Sequence, residues 1–487
     1  MNNSKFPNVA LIVLDSARSD MFGSYGNNEN LTNNIDKFAK DSVLCKNFYS
    51  AGSGSALSHT SMFTGQHSFR NGVVHNLSEI SNSLPSITKI LKENNYKNFG
   101  KSQIISPPVG YENLFYFDEL VYPQTSSNHN DKIPIKKKLL DNLRKYPKTW
   151  TTLKKIFANS FGNKLLLKQT AKHFDGTSSL DYIENKLCKN NNCFAYTTIF
   201  HPHTPYCPPD WVINKISQGK KINEAAYSIQ TDFHAWLNGE YGHDLTILED
   251  LKLLYKSELF YGDYLVGQFL EKLRENNSYD DTLIIITGDH GEFFGEHGEI
   301  NHGGTVYNEV IKVPFFIKFP KNFMAGMKID KICSHIDLLP TLMNYLKIDI
   351  SKEVIDGEDI FKENKNRSIV IDSPPLVLPG RLKHYPKVVE RQSFFWRTII
   401  NNAYKYVWKS DNSRFLYQRK KNETSANNII QENKILADQM HEEMINFYKK
   451  INKDFEINKY PINIGKTAAK FITSPRIIRE LKLGGYL

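Results

Sequence analysis

Apolar residues gather in short unbroken runs, set apart by longer stretches with helical spacing. Residues 8–14 (NVALIVL), 43–49 (VLCKNFY), 194–200 (FAYTTIF), 283–286 (LIII) and 313–319 (VPFFIKF) are the runs. Their β-branched and aromatic content, with little alternation, predicts strands buried on both faces, as inside a parallel sheet. Residues 34–40, 84–94 and 249–276 carry apolar positions at helical spacing. Residues 55–64 (SALSHTSMFT) form a short helix stopped by Gly65, and residues 335–346 form another despite Pro340. Beyond about residue 375 the pattern changes. Residues 394–417 alternate as antiparallel strands do, and 432–452 return to helix. Strands alternating with helices, then a run of short strands, predict an α/β sandwich: a central, mostly parallel sheet between helices, plus a small C-terminal α+β subdomain. The expected division is 1–375 and 376–487, with no internal repeat.

Bulk properties narrow this picture. A chain of 487 residues, 40% hydrophobic and 23% charged, has the composition of a globular protein with a large core. Residues 1–7 are short and polar, and no apolar run reaches the roughly 20 residues of a membrane span. Five scattered cysteines without a CxxC pair fit reduced thiols, so a cytoplasmic location is expected. The net charge of +10 is concentrated. Residues 132–172 hold twelve Lys/Arg against one acid, Asp141, which leaves the rest of the chain close to neutral. Residues 131–172 are expected to be an inserted helical excursion. It serves either as a solvated cover or as an electrostatic collar that draws an anionic polymer or a lipid head group, with peripheral membrane attachment. Nucleic acid is disfavoured as a partner, because no aromatic-interleaved basic motif is present.

Candidate chemistry sits where strands end. The run at 283–286 stops at Thr287-Gly288 and delivers Asp289 and His290. The run at 8–14 delivers Asp15, the one at 194–200 leads to His203, and the strand at 43–49 leads through small residues to Ser55. Open α/β sheets bind ligands outside the carboxyl ends of their strands. Two carboxylates and an imidazole suit a divalent metal with mixed N/O ligands, and the ion expected is one Mn, Mg, Ca or Zn. A serine hydroxyl beside such an ion is an activated nucleophile.

These segments resemble the sulfatase branch of the alkaline-phosphatase superfamily. The resemblance is carried by VLDSARSDMFGSYG (13–26), SGSALSHTSMFTGQHSFRNGV (53–73), FHPHTPYCPP (200–209), TGDHGEFFGEHG (287–298), TVYNEVIKVPFFI (305–317) and HIDLLPTL (335–342), with VIDGEDI (354–360) and KYVWKSDNSRFLY (405–417) further on. It implies an alkaline-phosphatase-like sandwich and hydrolysis of sulfate or phosphate esters. It implies Asp15, Asp289, His290 and Ser55 as metal ligands and Ser55 as nucleophile. It also makes His203 a substrate-contacting catalytic histidine and places His302 near the ester, where it protonates the leaving oxygen. Lys101, in FGKSQ, and His59 are assigned to substrate contact. Two positions depart from the family pattern. Formylglycine-forming sulfatases carry C/S-x-P-x-R, whereas this chain has Ser55-Ala56-Leu57-Ser58-His59, so Ser55 is expected to stay a serine and to suit phosphoryl transfer. Ser16 stands where many arylsulfatases have a second aspartate. The rival readings are a transferase of phospho-head groups to a glycan or lipid, and a non-catalytic sulfatase-like binding protein. The substrate expected is an anionic ester, free, polymeric or lipid-linked.

Overall fold

The computed structural model describes residues 6–103 apart from 77 and 82, then 116–121, 167, and 176–459 apart from 231–232, 243 and 376–384. Its centre is an eight-stranded sheet. The strands are β1 (Asn8–Leu14), β2 (Val43–Tyr49), β3 (Lys97–Ser102), β4 (Glu119–Val121), β5 (Cys193–Ile199), β6 (Thr282–Gly288), β9 (Phe315–Lys318) and β10 (Lys328–Ser334). The two strands between β6 and β9 in the chain, β7 (Phe293–Phe294) and β8 (Ile300–Asn301), pair with each other in a small ribbon. The large sheet runs β10-β2-β9-β6-β1-β5-β3-β4. All its neighbours pair parallel except β9, which is antiparallel to β2 and to β6.

The unbroken apolar runs have the predicted cause. Along β1, Ala10, Ile12 and Leu14 join one core while Val9, Leu11 and Val13 join the other. In β6, Ile284 and Ile286 oppose Leu283 and Ile285 in the same way. Successive side chains of a strand point to opposite faces, so a sheet covered on both sides needs apolar residues at every position. The first core is closed by the long helix Leu245–Glu275 and by Thr177–Lys189. The second is closed by α1 (Ser55–Thr64) and by Leu338–Leu346. Pro340 is tolerated because it lies in the first turn of its helix, where no N–H is needed.

Three strands of the large sheet, β3, β4 and β10, lie outside the apolar runs. β10 (KIDKICS) carries its charges because it is the edge strand, and charged edges discourage pairing with other chains. β3 (KNFGKS) carries Gly100, where an added Cβ would lie 2.6 Å from Leu120 Cδ1.

The C-terminal part is a four-stranded antiparallel sheet, β11 (Ile369–Ser373), β12 (Trp396–Ile400), β13 (Tyr404–Lys409) and β14 (Arg414–Gln418). β11 already belongs to this sheet, ahead of the division expected at 375. One face packs on the main body through Ile369, Ile371 and Val407, against Val306 and Val310. The other is covered by α2 (Lys434–Ile451) through Met440, Met444 and Tyr448. The expected basic excursion, 131–172, lies outside the described residues except for Leu167, which is buried in the first core. No disulfide joins any of the five cysteines. Among the described residues no helix is long and apolar enough to cross a membrane.

Candidate active site

Strand register builds the centre. Leu14 pairs with Gly288 on one side and with Ile199 on the other, so β1, β5 and β6 end level. Adjacent strands lie roughly 4.8 Å apart, which puts the next residues, Asp15 and Asp289, side by side. His290 follows at once. Ligand atoms of Asp15, Asp289 and His290 all lie within 4.8 Å of one another, and all three residues are buried. Ser55 opens α1 and brings its Oγ to 3.1 Å from His290 Nε2.

The turns that present these groups are fixed by backbone contacts. Ser16 adopts φ 64°, a left-handed conformation costly for a residue with a Cβ. Its N–H donates to Asp289 Oδ1 at 3.0 Å, and its carbonyl accepts from Tyr255 Oη at 2.9 Å. Gly291 is the residue that lets the chain turn after His290, because a Cβ there would sit 2.1 Å from the carbonyl of Glu309. His335, fully buried, spans the two loops: its Nε2 lies 2.9 Å from the Gly288 carbonyl, and its Nδ1 accepts from the Ala51 N–H at 3.4 Å.

The donor set fits a cation. His290 Nδ1 lies 3.1 Å from the Gly291 carbonyl, an acceptor, so the proton sits on Nδ1 and the Nε2 lone pair faces the carboxylates. Nε2 is 3.8 Å from Asp15 Oδ1 and 3.5 Å from Asp289 Oδ2. Asp289 Oδ1 takes the N–H groups of Ser16 and His290, at 3.0 and 2.7 Å. Its Oδ2 is buried with no hydrogen-bond donor. A buried carboxylate oxygen without a partner is expensive unless it ligates something. Burial and the adjacent Asp289 carboxylate push Asp15 well above the ordinary range. For Asp289 burial acts upward, but His290, His59 and the Ser16 N–H outweigh it and hold the group low.

A second layer surrounds this centre. The rings of His290 and His302 have centroids 4.2 Å apart, and those of His203 and His302 are 5.1 Å apart. Burial lowers all three histidines, His203 to about 3 and His290 and His302 to about 4. Glu292, fully buried, lies between them and Tyr206. Its Oε1 is 3.1 Å from His302 Nδ1, and its Oε2 accepts from Tyr206 Oη at 2.9 Å. Burial pushes Glu292 up to about 7. His302 is thereby oriented through its Nδ1.

The structure thus brings Asp15, Ser55, Asp289, His290, His203 and His302 together. His59, one helical turn after Ser55, is also there, with Nε2 3.5 Å from Asp289 Oδ2 and Nδ1 3.1 Å from Tyr196 Oη. It faces the Asp289 carboxylate, where a substrate contact was expected. Lys101 is not drawn in. Its Nζ donates to the Ser178 carbonyl at 3.1 Å and to Ser178 Oγ at 3.2 Å. Glu292, Tyr206 and His335 were missed from sequence as site residues. Glu292 had a signal, an acid two places after His290 in a strand-end loop. The other two had only their place within segments already singled out.

Comparisons with known proteins agree with this geometry. The sulfatase family model matches residues 7–348, and the model described as N-sulphoglucosamine sulphohydrolase, C-terminal, matches residues 295–450. The N-acetylglucosamine-6-O-sulfatase of Bacteroides thetaiotaomicron is 20% identical over 417 residues, covering 72% of this chain and 70% of that protein. An arylsulfatase of Clostridium perfringens is 24% identical over 396 residues, covering 74% and 79%. Among solved structures, the phosphonate monoester hydrolase of Agrobacterium radiobacter superposes with a TM-score of 0.66 at 17% identity, covering 91% of this chain and 96% of that one. That likeness shows a shared alkaline-phosphatase-like fold.

Proposed function

We propose that this chain is a metal-dependent hydrolase of sulfuric or phosphoric esters with Ser55 as its nucleophile, and the premise is kinship: the chain belongs to the sulfatase family. The observation that carries the proposal is the buried cluster of Asp15, Asp289 and His290, with ligand atoms within 4.8 Å of one another, beside a serine hydroxyl 3.1 Å from His290 Nε2. Asp15, Asp289 and His290 would hold one divalent ion, with Ser55 beside it. When bound, such an ion acidifies a neighbouring hydroxyl and draws charge from the oxygens of the ester.

The residues of the chain divide the remaining work. Ser55 Oγ forms the bond to phosphorus or sulfur while the bond to the leaving oxygen breaks. The Glu292 carboxyl, held protonated by burial, donates to His302 Nδ1; His302 gives its Nε2 proton to the leaving oxygen and takes the Glu292 proton at Nδ1. His203, packed on His302, contacts the departing group. Ser55 stands at the start of α1, so the backbone dipole also favours negative charge at Oγ. Water then attacks the covalent intermediate, breaks the bond to Oγ and releases the inorganic anion. A plain serine favours phosphorus over sulfur, because the hydrate of formylglycine can expel sulfate by elimination and a serine ester cannot. The sulfated substrates named for relatives keep sulfur in the test. Purified protein with Mn²⁺ is assayed on p-nitrophenyl sulfate, phosphate and a phosphodiester, alongside Ser55→Ala. Turnover lost in the variant supports the reading. Wild-type protein inert on every ester with every metal leaves the binding-protein alternative standing.

A further inference from the structure

The segment that carries His203 is held at both ends by one side chain of the long helix Leu245–Glu275. Glu258 is buried, and its Oε2 lies 2.5 Å from His201 Nδ1. Its Oε1 accepts the Cys207 N–H, also at 2.5 Å. One carboxyl group therefore spans residues 201 and 207, with His203 and Tyr206 between them. Gly262 stands one turn further along the same helix face, where an added Cβ would lie 3.1 Å from His201 Cβ. Glycine inside a helix lowers its stability, and here the missing side chain lets His201 seat against the helix. Tyr261 closes the seat, its ring centroid 5.0 Å from that of His201. His201 Nε2 makes no hydrogen bond among the described residues, so the polar anchor of the ring is Nδ1.

What lies between the two anchors belongs to the reacting centre. The ring of His203 is 5.1 Å from that of His302, and Tyr206 Oη donates to Glu292 Oε2 at 2.9 Å. His203 and Tyr206 thus reach the two groups that move the proton. The segment has little slack to absorb a shift at its ends. Pro202 and Pro205 fix φ on either side of His203-Thr204, and the His203 N–H donates to the Phe200 carbonyl at 2.6 Å. The Tyr206 N–H donates to Gln230 Oε1 at 2.5 Å. Gln230 therefore shares the hold on the Tyr206 end, and the His201–His203 end depends most on Glu258.

We propose that Glu258 is a positioning residue for ester cleavage, seating His201 and Cys207 so that His203 stays packed on His302 while the leaving oxygen takes its proton. The inference rests on the reading of His203 and His302 as the groups that meet the departing oxygen. A misplacement of about 1 Å can cost about a hundredfold in rate. The loss falls on leaving groups that need the proton, phenolate more than p-nitrophenolate. Glutamine can take over the task. Its Oε1 keeps the Cys207 N–H, and its NH2 donates to His201 Nδ1 once the imidazole proton sits on the open Nε2. Alanine can do neither.

Kinetics on the phenyl and p-nitrophenyl esters of sulfate and phosphate test it in wild type, Glu258→Ala, Glu258→Gln and His201→Phe. Glu258→Ala is expected to lower kcat about 30–100-fold on the phenyl esters and less than about fivefold on the p-nitrophenyl esters, with KM within about twofold. Glu258→Gln should restore most of the loss. His201→Phe keeps a ring and drops only the Nδ1 contact, so it should show the same split, smaller, and it carries the test where Glu258→Ala does not fold. Equal losses on both ester classes, a change in KM alone, or a glutamine variant as slow as the alanine one overturn the proposal. If wild type turns over none of these esters, the reading of the centre fails separately. The seat is then judged by labelling with diethyl pyrocarbonate, read by peptide mass spectrometry. His203, His67 and His335 are all buried in the wild type. Glu258→Ala, or His201→Phe in its place, should speed labelling of His203 at least about fivefold and leave His67 and His335 protected. Glu258→Gln should label as wild type does. His203 staying protected, or all three histidines opening together, overturns it.

Discussion

Asp289 and Asp372 are both fully buried, and both have histidines nearby, but their company differs. Asp372 Oδ1 accepts from Tyr448 Oη at 2.6 Å and has Arg397 Nε at 3.4 Å. Its Oδ2 accepts from Ser68 Oγ at 3.2 Å, with His67 Nε2 at 3.4 Å. Arg397, equally buried, sends Nη1 and Nη2 to the carbonyls of Ile457 and Lys459, at 2.7 and 3.0 Å, and packs among Phe69, Phe395, Tyr448 and Phe455. Asp289 has two N–H donors on one oxygen, while the other makes no hydrogen bond and has His59 Nε2 at 3.5 Å. Both oxygens of Asp372 accept a hydroxyl, and its cluster ties β11, β12 and α2 to the loop before Ser55, through the Gly52–Asp372 bridge and a 2.6 Å bond between Ser53 and Ser373 hydroxyls. A hydrogen bond on each oxygen separates a buried carboxylate that holds the fold from one with an oxygen kept for a ligand.

The comparison breaks most visibly at the Asp289 cluster. Asp289→Asn is expected to lower kcat/KM at least about a thousandfold while changing the melting temperature little, since the Asn Oδ1 can keep the N–H groups of Ser16 and His290. Kinetics and a thermal melt on the same sample read both; a melt that falls sharply would make Asp289 a structural residue like Asp372. The Asp372 cluster should behave in the opposite sense. Arg397→Met strands the Asp372 carboxylate and should cost about 3–5 kcal/mol of unfolding free energy in urea titration, with kcat/KM following only the folded fraction.

Smaller effects sharpen the contrast. Mn²⁺ at about a hundred times its Kd should stabilise the wild type by about 2.7 kcal/mol and Asp289→Asn by much less, as read by thermal shift without substrate. Equal shifts would place the ion elsewhere. Glu292→Gln keeps the shape but loosens the hold on His302, so kcat should fall about 10–100-fold, most on esters with poor leaving groups. Lys101→Ala should change both stability and kcat/KM least, within about 0.5 kcal/mol, because its ammonium is spent on Ser178. A large kcat/KM loss there would restore the substrate contact expected from sequence.

Much of this was readable from the chain. The apolar runs of β1, β5 and β6 announce strands covered on both faces, and the polar residue that ends each run announces a strand end, where α/β sheets keep their chemistry. The charged edge strand β10 was invisible to that logic, since an edge needs no apolar run. The Asp372 cluster was equally hidden. Asp372, Arg397, His67 and Tyr448 are far apart in the chain and lie in patterns no different from solvated positions.

Local pattern therefore determined the apolar strands, the short helix behind Ser55, and the strand-end list Asp15, Ser55, His203, Asp289 and His290, because periodicity and strand termini are short-range properties; His302 came from the family resemblance. Only tertiary structure decided the rest: that Leu14 levels with Gly288, that His59 turns to a carboxylate and Lys101 to a carbonyl, and that Glu292 backs His302. Those choices depend on register between distant strands and on which donors burial brings within reach, and neither is written in any one segment.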